Sequence, residues 1–318
     1  MTEPVGLPMA DCHDDLLMGV VHQQERGHAD PFGDFWLPQL REGGVVLQVL
    51  PIYTEDQFLG EGALRRALRY VEAAWAIAER HADDVALVTS GSELRAAVGS
   101  ERIAMVLAFE GMEPVGHEVG VIDTFWRLGV RMASLTWNRR TMFADGLGES
   151  ATGAGLSSLG LAAVERMEEL GMIVDVSHLS DAGFEHITRV ATRPFVASHS
   201  SCRAVHGHPR NLTDEMLRAI VASGGFACMN AYGGFVGDDS PTVESYVDHI
   251  EHVMRVGGAE AAALGSDFDG LVVPVPALPD VSALPRVTQL LRARGHAPEV
   301  VRGVLGENAL RVLTDVCG

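Results

Sequence analysis

Residues 172–210 read MIVDVSHLSDAGFEHITRVATRPFVASHSSCRAVHGHPR. Two short apolar runs, 173–176 and 195–197, each lead into a small polar residue and a histidine: Ser177-His178 and Ser198-His199. Residues 181–192 between them are polar, with apolar positions at Phe184, Ile187 and Val190. That spacing is helical, and Ser180 or Asp181 can cap its start. The stretch therefore predicts strand–helix–strand, with one histidine at the carboxyl end of each strand. A right-handed helical crossover between parallel strands brings those ends to one face of the sheet. His178 and His199 then point into the same crevice. Neutral imidazole is the commonest protein ligand for transition metals, so the pair reads as part of a metal site. Either histidine alone would read as an unrelated strand end.

The rest of the chain extends this pattern in both directions. Residues 44–52 (GVVLQVLPI) and 103–109 (IAMVLAF) are continuous apolar runs, as buried parallel strands are. Shorter strands are expected at 8–11, 130–135, 225–230 and 262–265. His13, Val45, Ile103, Val130, Ile173, Phe195, Gly225 and Ala262 thus mark eight strands. Helices are expected at 61–81, 121–128, 161–170, 213–223 and 242–257, with two closing helices around 283–294 and 307–316. On helix 61–81 the stripe Leu64, Leu68, Val71 and Trp75 reads as core packing. Strands alternate with helices along nearly the whole chain, with no linker, repeat or low-complexity block. The pattern predicts one catalytic domain over 1–318, a (β/α)8 TIM barrel with C-terminal helices, whose active site lies at the carboxyl ends of the strands. An open doubly wound sheet is the alternative. The first βα turn, however, has neither GxGxxG nor GxxxxGK[ST], so dinucleotide and P-loop readings lose their usual support.

Composition narrows the function. The chain has 318 residues, 47% of them hydrophobic, and 24 Lys and Arg against 43 Asp and Glu leave a net charge of −19. That acidity argues against nucleic acid and anionic membrane as partners and tolerates metal cations. Cys12, Cys202, Cys228 and Cys317 show no CxxC spacing and fit a reducing compartment. The N-terminal MTEPVGLPMADCHDD lacks a basic region followed by an apolar core, so no signal peptide is expected. No apolar run approaches the roughly 20 residues that span a bilayer. The expected location is cytoplasmic.

The polar residues at the predicted strand ends are His13, Asp15, Glu110, His178, His199 and Asp267. All are metal-ligand types, and on a barrel they converge at one mouth. In an extended chain His13 and Asp15, at i and i+2, share a face. Three histidines and three carboxylates exceed what one catalytic zinc ion takes, usually three protein ligands and a water. They suit two metals with a bridging carboxylate, about 3.5–4 Å apart, able to hold a hydroxide and polarise a carbonyl. Structural readings stand beside these: Asp15 as a helix cap, Glu110 as a core carboxylate tied to a neighbour, Asp267 and Asp269 as turn formers. Arg210, just past the second histidine strand, could grip a substrate carboxylate with its guanidinium fork or form a salt bridge at the mouth. His22, His28, His81, His117, His186, His249, His252 and His296 fall on helices or loops and read mostly as solvated.

Taken together, Asp11-Cys12-His13-Asp14-Asp15, Phe109-Glu110-Gly111, Leu135-Thr136-Trp137-Asn138, Ala144-Asp145-Gly146, Asp175-Val176-Ser177-His178, Ser198-His199-Ser200-Ser201, Arg210-Asn211 and Gly265-Ser266-Asp267-Phe268-Asp269-Gly270 resemble the membrane (renal) dipeptidase family, the M19 metallopeptidases. The resemblance implies a barrel of the amidohydrolase type that hydrolyses dipeptides with two zinc ions per chain, other divalent metals being usable. It implies that His13 and Asp15 bind the first zinc, that Glu110 bridges, and that His178 and His199 bind the second. Asp267 would approach the first zinc and move the proton, and Arg210 would hold the dipeptide's terminal carboxylate. The resemblance allows a homodimer, and this chain looks like a soluble bacterial-type member. At Trp137 it departs from the mammalian pattern, which has histidine there, thought to stabilise the oxyanion. Indole donates one hydrogen bond and cannot be a cation. Asn138, Arg139 or Arg140 could then supply the lost stabilisation near the substrate, or the zinc ions could suffice alone. Two other classes stay open: a barrel hydrolase acting on N-acyl amino acids, cyclic amides or lactones, and a non-catalytic metal-binding protein.

Overall fold

The computed structural model describes residues 7–237, 240–270 and 273–317. Residues 1–6, where the segment read for a signal peptide begins, lie outside the described residues. The strands are β1 (Met9–Asp11), β2 (Val45–Tyr53), β3 (Val85–Leu87), β4 (Ile103–Glu110), β5 (Val130–Ser134), β6 (Ile173–Asp175), β7 (Phe195–Val196), β8 (Ala227–Met229) and β9 (Ala262–Leu264). Their pairings are parallel throughout. They run in the order β7-β6-β5-β4-β2-β1-β9-β8, and a bridge between Ala197 and Ala227 brings the two ends of the sheet together. The result is the expected barrel of eight parallel strands with helices between them.

The ninth strand was not expected. β3 pairs Val85–Leu87 with Ile103–Met105 of β4, and β5 takes the same edge of β4 from Leu107 onwards. β3 therefore lengthens the barrel wall below β5 and supplies nothing to the mouth.

Alternation along β4 shows how the barrel aims its chemistry. Ile103, Met105, Leu107 and Phe109 pack into the outer layer against the helices, while Ala104, Val106 and Ala108 belong to the inner cluster. Side chains two apart share a face, so Glu110 is the next member of the inward series and the first beyond the apolar filling. The amino ends are closed by the helix Asn308–Val316, whose Val312, Leu313 and Val316 join the inner cluster. Asn308 Nδ2 donates to the carbonyls of Ala259 and Ala262, both at 2.8 Å. The open end is thus the carboxyl end.

The organising stretch folds as predicted, with Ser180 capping Asp181–Val190 through Gly183 N–H and with Phe184 and Ile187 buried. Two expectations fail. On the helix Glu61–Arg80, Leu64, Leu68 and Trp75 remain 44%, 42% and 39% exposed, and of that stripe only Val71 is buried. The side that meets the barrel is instead built on Ala63, Ala67, Ala74, Tyr70 and Ile77; small residues let the helix approach closely, leaving the larger ones on its flank. His249 and His252 are buried, not solvated. His249 Nδ1 accepts from Cys202 N–H (2.9 Å) while Nε2–H donates to the Val236 carbonyl (3.0 Å), a satisfied core histidine.

Candidate metal centre

Each predicted metal-ligand residue lies at or within a few residues of the carboxyl end of a strand, whereas Arg210 lies in the long loop after β7. β1 stops at Asp11, so His13 and Asp15 lie in the turn to the helix Leu16–Glu25 and not in an extended chain. Asp15 sits at that helix start with φ −75° and ψ 17°, yet its carboxylate makes no capping bond and its Oδ1 is buried without a partner. The helix-cap reading of Asp15 therefore fails. His178 and Asp267 both adopt positive φ, 70° and 61°. Such backbone costs about 1–3 kcal/mol per residue and persists where the surroundings enforce it. Gly270 is equally constrained, since a Cβ there would meet Asp15 Oδ2 at 2.0 Å.

Glu110 Oε1 is the hub. It lies 3.0 Å from His178 Nε2, 3.6 Å from His199 Nε2 and 3.8 Å from His13 Nε2. The Nε2 atoms of His178 and His199 approach to 2.8 Å, and the His13 and His199 rings stack at 3.6 Å. Asp267 Oδ1 is 3.7 Å from His13 Nε2. Three overlapping groups have all their donor atoms within 4.8 Å: His13, Asp15 and Glu110; Glu110, His178 and His199; His13, His199 and Asp267.

Electrostatics and hydrogen bonding favour a cation among these groups. Burial, then the Arg210 charge, pushes His13 down to about 3, and burial holds His178 and His199 well below the usual imidazole range. Burial and neighbouring carboxylates drive Glu110 and Asp15 well above the usual carboxylate range, and burial raises Asp267 to about 7. Three carboxylates this close oppose one another's ionisation, whereas a bound cation reverses that logic. His178 Nδ1 lies 2.9 Å from Asn138 Oδ1. An amide oxygen only accepts, so the proton is on Nδ1 and the lone pair on Nε2 faces Glu110 and His199. His13 Nε2 is buried without a partner, a state that costs about 1–3 kcal/mol unless something binds there. Imidazole and carboxylate donors of this kind fit zinc or a similar divalent ion.

Above these groups opens a cavity of about 260 Å³. Asp15, Glu110, His178 and Asp267 lie at its polar side; Met18, Tyr53, Trp137, Tyr232 and Phe235 form apolar walls. Trp137 packs edge-on to Tyr53 with ring centroids 5.3 Å apart and faces the cavity. Asn138 also borders it, with its oxygen already engaged by His178. Neither neighbouring arginine is a free donor. Arg139 pairs with Glu113 at 2.9 Å and Asp56 at 2.5 Å, and its guanidinium lies over the Trp137 ring. Arg140 pairs with Asp145. Arg210 is buried behind His199, donating to Ser200 Oγ (2.5 Å) and to the His199 carbonyl (3.0 Å), while its Nε has no partner. It does not line the cavity wall as described, although its charge acts on Asp267 and Glu110.

Several contributors were not anticipated. Asn230 Nδ2 donates to Asp267 Oδ2 at 2.7 Å. Asp11 accepts from Ser266 N–H (2.8 Å), Ser266 Oγ (2.6 Å) and His13 N–H (3.3 Å), joining the loops that carry His13 and Asp267. Tyr53, the last residue of β2, and Tyr232, shortly after β8, occupy strand-end positions where a sequence signal existed.

Comparison with known proteins gives consistent results. The family described as Membrane dipeptidase (Peptidase family M19) matches residues 5–317. The chain is 34% identical over 255 residues to Dipeptidase verJ of Clonostachys rogersoniana, the match covering 80% of this chain but 66% of that protein's own length. It is 35% identical over 240 residues to an uncharacterized protein encoded in the pqqA 5′ region of Klebsiella pneumoniae, covering 72% and 88%. Among solved structures, a dipeptidase AC of metallopeptidase family M19 superposes with TM-score 0.91 at 27% identity, covering 98% of this chain and 99% of the other. A metallopeptidase from Rhodobacter sphaeroides, bound to a phosphinate mimic of the dipeptide L-Ala-D-Ala, superposes with TM-score 0.92 at 25% identity, covering 98% and 100%.

Proposed function

Since the chain belongs to the membrane dipeptidase family, peptidase family M19, and so to the metal-dependent hydrolases, we propose that it hydrolyses the peptide bond of free dipeptides at a centre of two zinc ions. The observation that carries this reading is Glu110 Oε1 set among three imidazole Nε2 atoms. His13, Asp15 and Glu110 would hold one ion, and Glu110, His178 and His199 the other. Such a pair, when bound, supplies an activated water and a polarised carbonyl. Asp267, with its Oδ2 fixed by Asn230, takes the proton and returns it to the leaving amine. A cavity of about 260 Å³ suits a small substrate, and the Rhodobacter relative's dipeptide mimic supports the same class. Among the described residues no helix is long and apolar enough to cross a membrane. The four cysteines are free and buried, which supports a reducing, cytoplasmic setting. A homodimer remains the proposed assembly by resemblance. Free dipeptides, N-acyl amino acids, cyclic amides and lactones, assayed on the zinc-loaded protein, test the reading. Turnover confined to the last three classes would overturn it.

Arg210 does not line the cavity, so its proposed contact with the substrate's terminal carboxylate requires its guanidinium to turn from Ser200 Oγ and the His199 carbonyl. Arg210→Ala is expected to weaken dipeptide binding by roughly 1.5–3 kcal/mol, the worth of a charged hydrogen bond. C-terminally amidated dipeptides should already be poor substrates for the parent. Equal cleavage of acids and amides by the parent would remove Arg210 from that role.

Trp137 walls the cavity against Tyr53, so Trp137→His opens space beside the substrate and exchanges ring surface for a polar donor. The variant is expected to shift preference towards bulkier side chains more than it changes the best rate. Parent and variant profiles across one dipeptide set check this; superimposable profiles would contradict it.

A further inference from the structure

Asp175 is buried at the end of β6, three residues before His178, and no step proposed above uses it. Its Oδ1 accepts from two backbone N–H groups, Ser177 at 3.0 Å and Ser198 at 2.9 Å. Its Oδ2 accepts from Ser198 Oγ at 2.5 Å. Ser198 Oγ in turn lies 2.7 Å from His199 Nδ1. One carboxylate thus ties together the two loops that present His178 and His199.

A hydroxyl has a single proton to donate. The Asp175 carboxylate only accepts and is the nearest candidate for it, the alternative acceptor Ser177 Oγ being 3.5 Å away. Ser198 must then accept from His199, which places the His199 proton on Nδ1. The Nε2 lone pair is left facing His178 Nε2 at 2.8 Å and Glu110 Oε1 at 3.6 Å. We infer that Asp175 is a positioning residue, acting through Ser198 to hold His199 in the tautomer that can bind a metal. This inference rests on the metal reading above.

The arrangement makes an isosteric change more damaging than a deletion. In Asp175→Asn the two backbone N–H groups keep the amide oxygen at the Oδ1 position. The amide NH2 then replaces Oδ2 and donates to Ser198 Oγ. The serine proton, deprived of its acceptor, turns towards His199 Nδ1, which moves the His199 proton to Nε2 and blocks the lone pair. Ser198→Ala removes the relay but leaves His199 free to choose either tautomer.

The test is zinc affinity of the full-length chain, measured by competition with a chromogenic chelator. Asp175→Asn is expected to weaken zinc binding roughly 10–100-fold, the usual size of such outer-sphere effects. Ser198→Ala is expected to weaken it only about 2–12-fold, the worth of one neutral hydrogen bond. A purely structural role predicts the opposite order, because asparagine keeps more of the native contacts than the alanine variant does. Parental affinity in Asp175→Asn, or a larger loss in Ser198→Ala, would overturn the inference. Should Asp175→Asn fail to fold, ¹⁵N spectra of the imidazoles in the zinc-loaded parent decide: His199 must carry its proton on Nδ1 and its metal on Nε2, and the reverse overturns the proposal. A parent that binds no zinc at all would instead sink the metal reading itself.

Discussion

Asp267→Asn is expected to lower kcat for dipeptides by on the order of 10²–10⁴, the usual contribution of a positioned acid–base group, while leaving most of the metal in place. Asparagine tolerates positive φ better than most residues, so the backbone at φ 61° can persist. The amide oxygen can replace Oδ2 and keep the bond from Asn230, now 2.7 Å. Lost is the capacity to take up and release a proton, which burial tunes to about 7 in the metal-free protein. Steady-state kinetics paired with elemental analysis of the same preparation separates proton transfer from metal loss. A variant keeping more than about a tenth of parental activity would remove Asp267 from the acid–base role.

The second large effect is expected at Glu110. Among the described residues no other carboxylate belongs to both the His13–Asp15 group and the His178–His199 group, and its Oε1 lies within 3.8 Å of three imidazole nitrogens. Glu110→Gln keeps the volume and removes the charge. An amide oxygen is a weaker ligand than a carboxylate, and the glutamine Nε2 protons repel a cation. The variant should retain fewer than two metals and lose activity by on the order of 10³, because a bound metal contributes several kcal/mol of transition-state stabilisation. A full metal complement in Glu110→Gln would show that the two groups do not share this residue.

The parallel barrel was legible because β2 and β4 are long enough, at Val45–Tyr53 and Ile103–Glu110, for their apolar runs to exclude surface strands. The six ligand-type residues were legible because each ends a strand or follows one within a few residues, and closing the barrel converges strand ends. β3 escaped notice because its three residues lie between helices with no room for periodicity. The flank of Glu61–Arg80 was misread because periodicity locates a stripe but does not say which side a barrel will cover, and here alanines allow the closer approach. Asp11 and Asp175 stand in the motifs that carry the resemblance, but nothing local signalled their role. Each has one near partner, but the partners that make them clamps are remote, Ser266 lying 255 positions from Asp11 and Ser198 lying 23 from Asp175, and only folding turns a strand-end aspartate into a clamp between loops. The same holds for Asn138, whose part in fixing His178 depends on a contact 40 positions away. The anchoring of Arg139 on Glu113 likewise became visible only in three dimensions, and it removes that side chain from the set of free donors near Trp137.

The metal content of the zinc-reconstituted parent protein, determined by elemental analysis alongside dipeptide turnover before and after chelation, bears on all of this at once. Two divalent ions per chain, with turnover lost on chelation and regained on zinc addition, is the predicted result. One ion or none in a folded chain, or dipeptide turnover that survives complete chelation, would contradict a dinuclear centre built on Glu110.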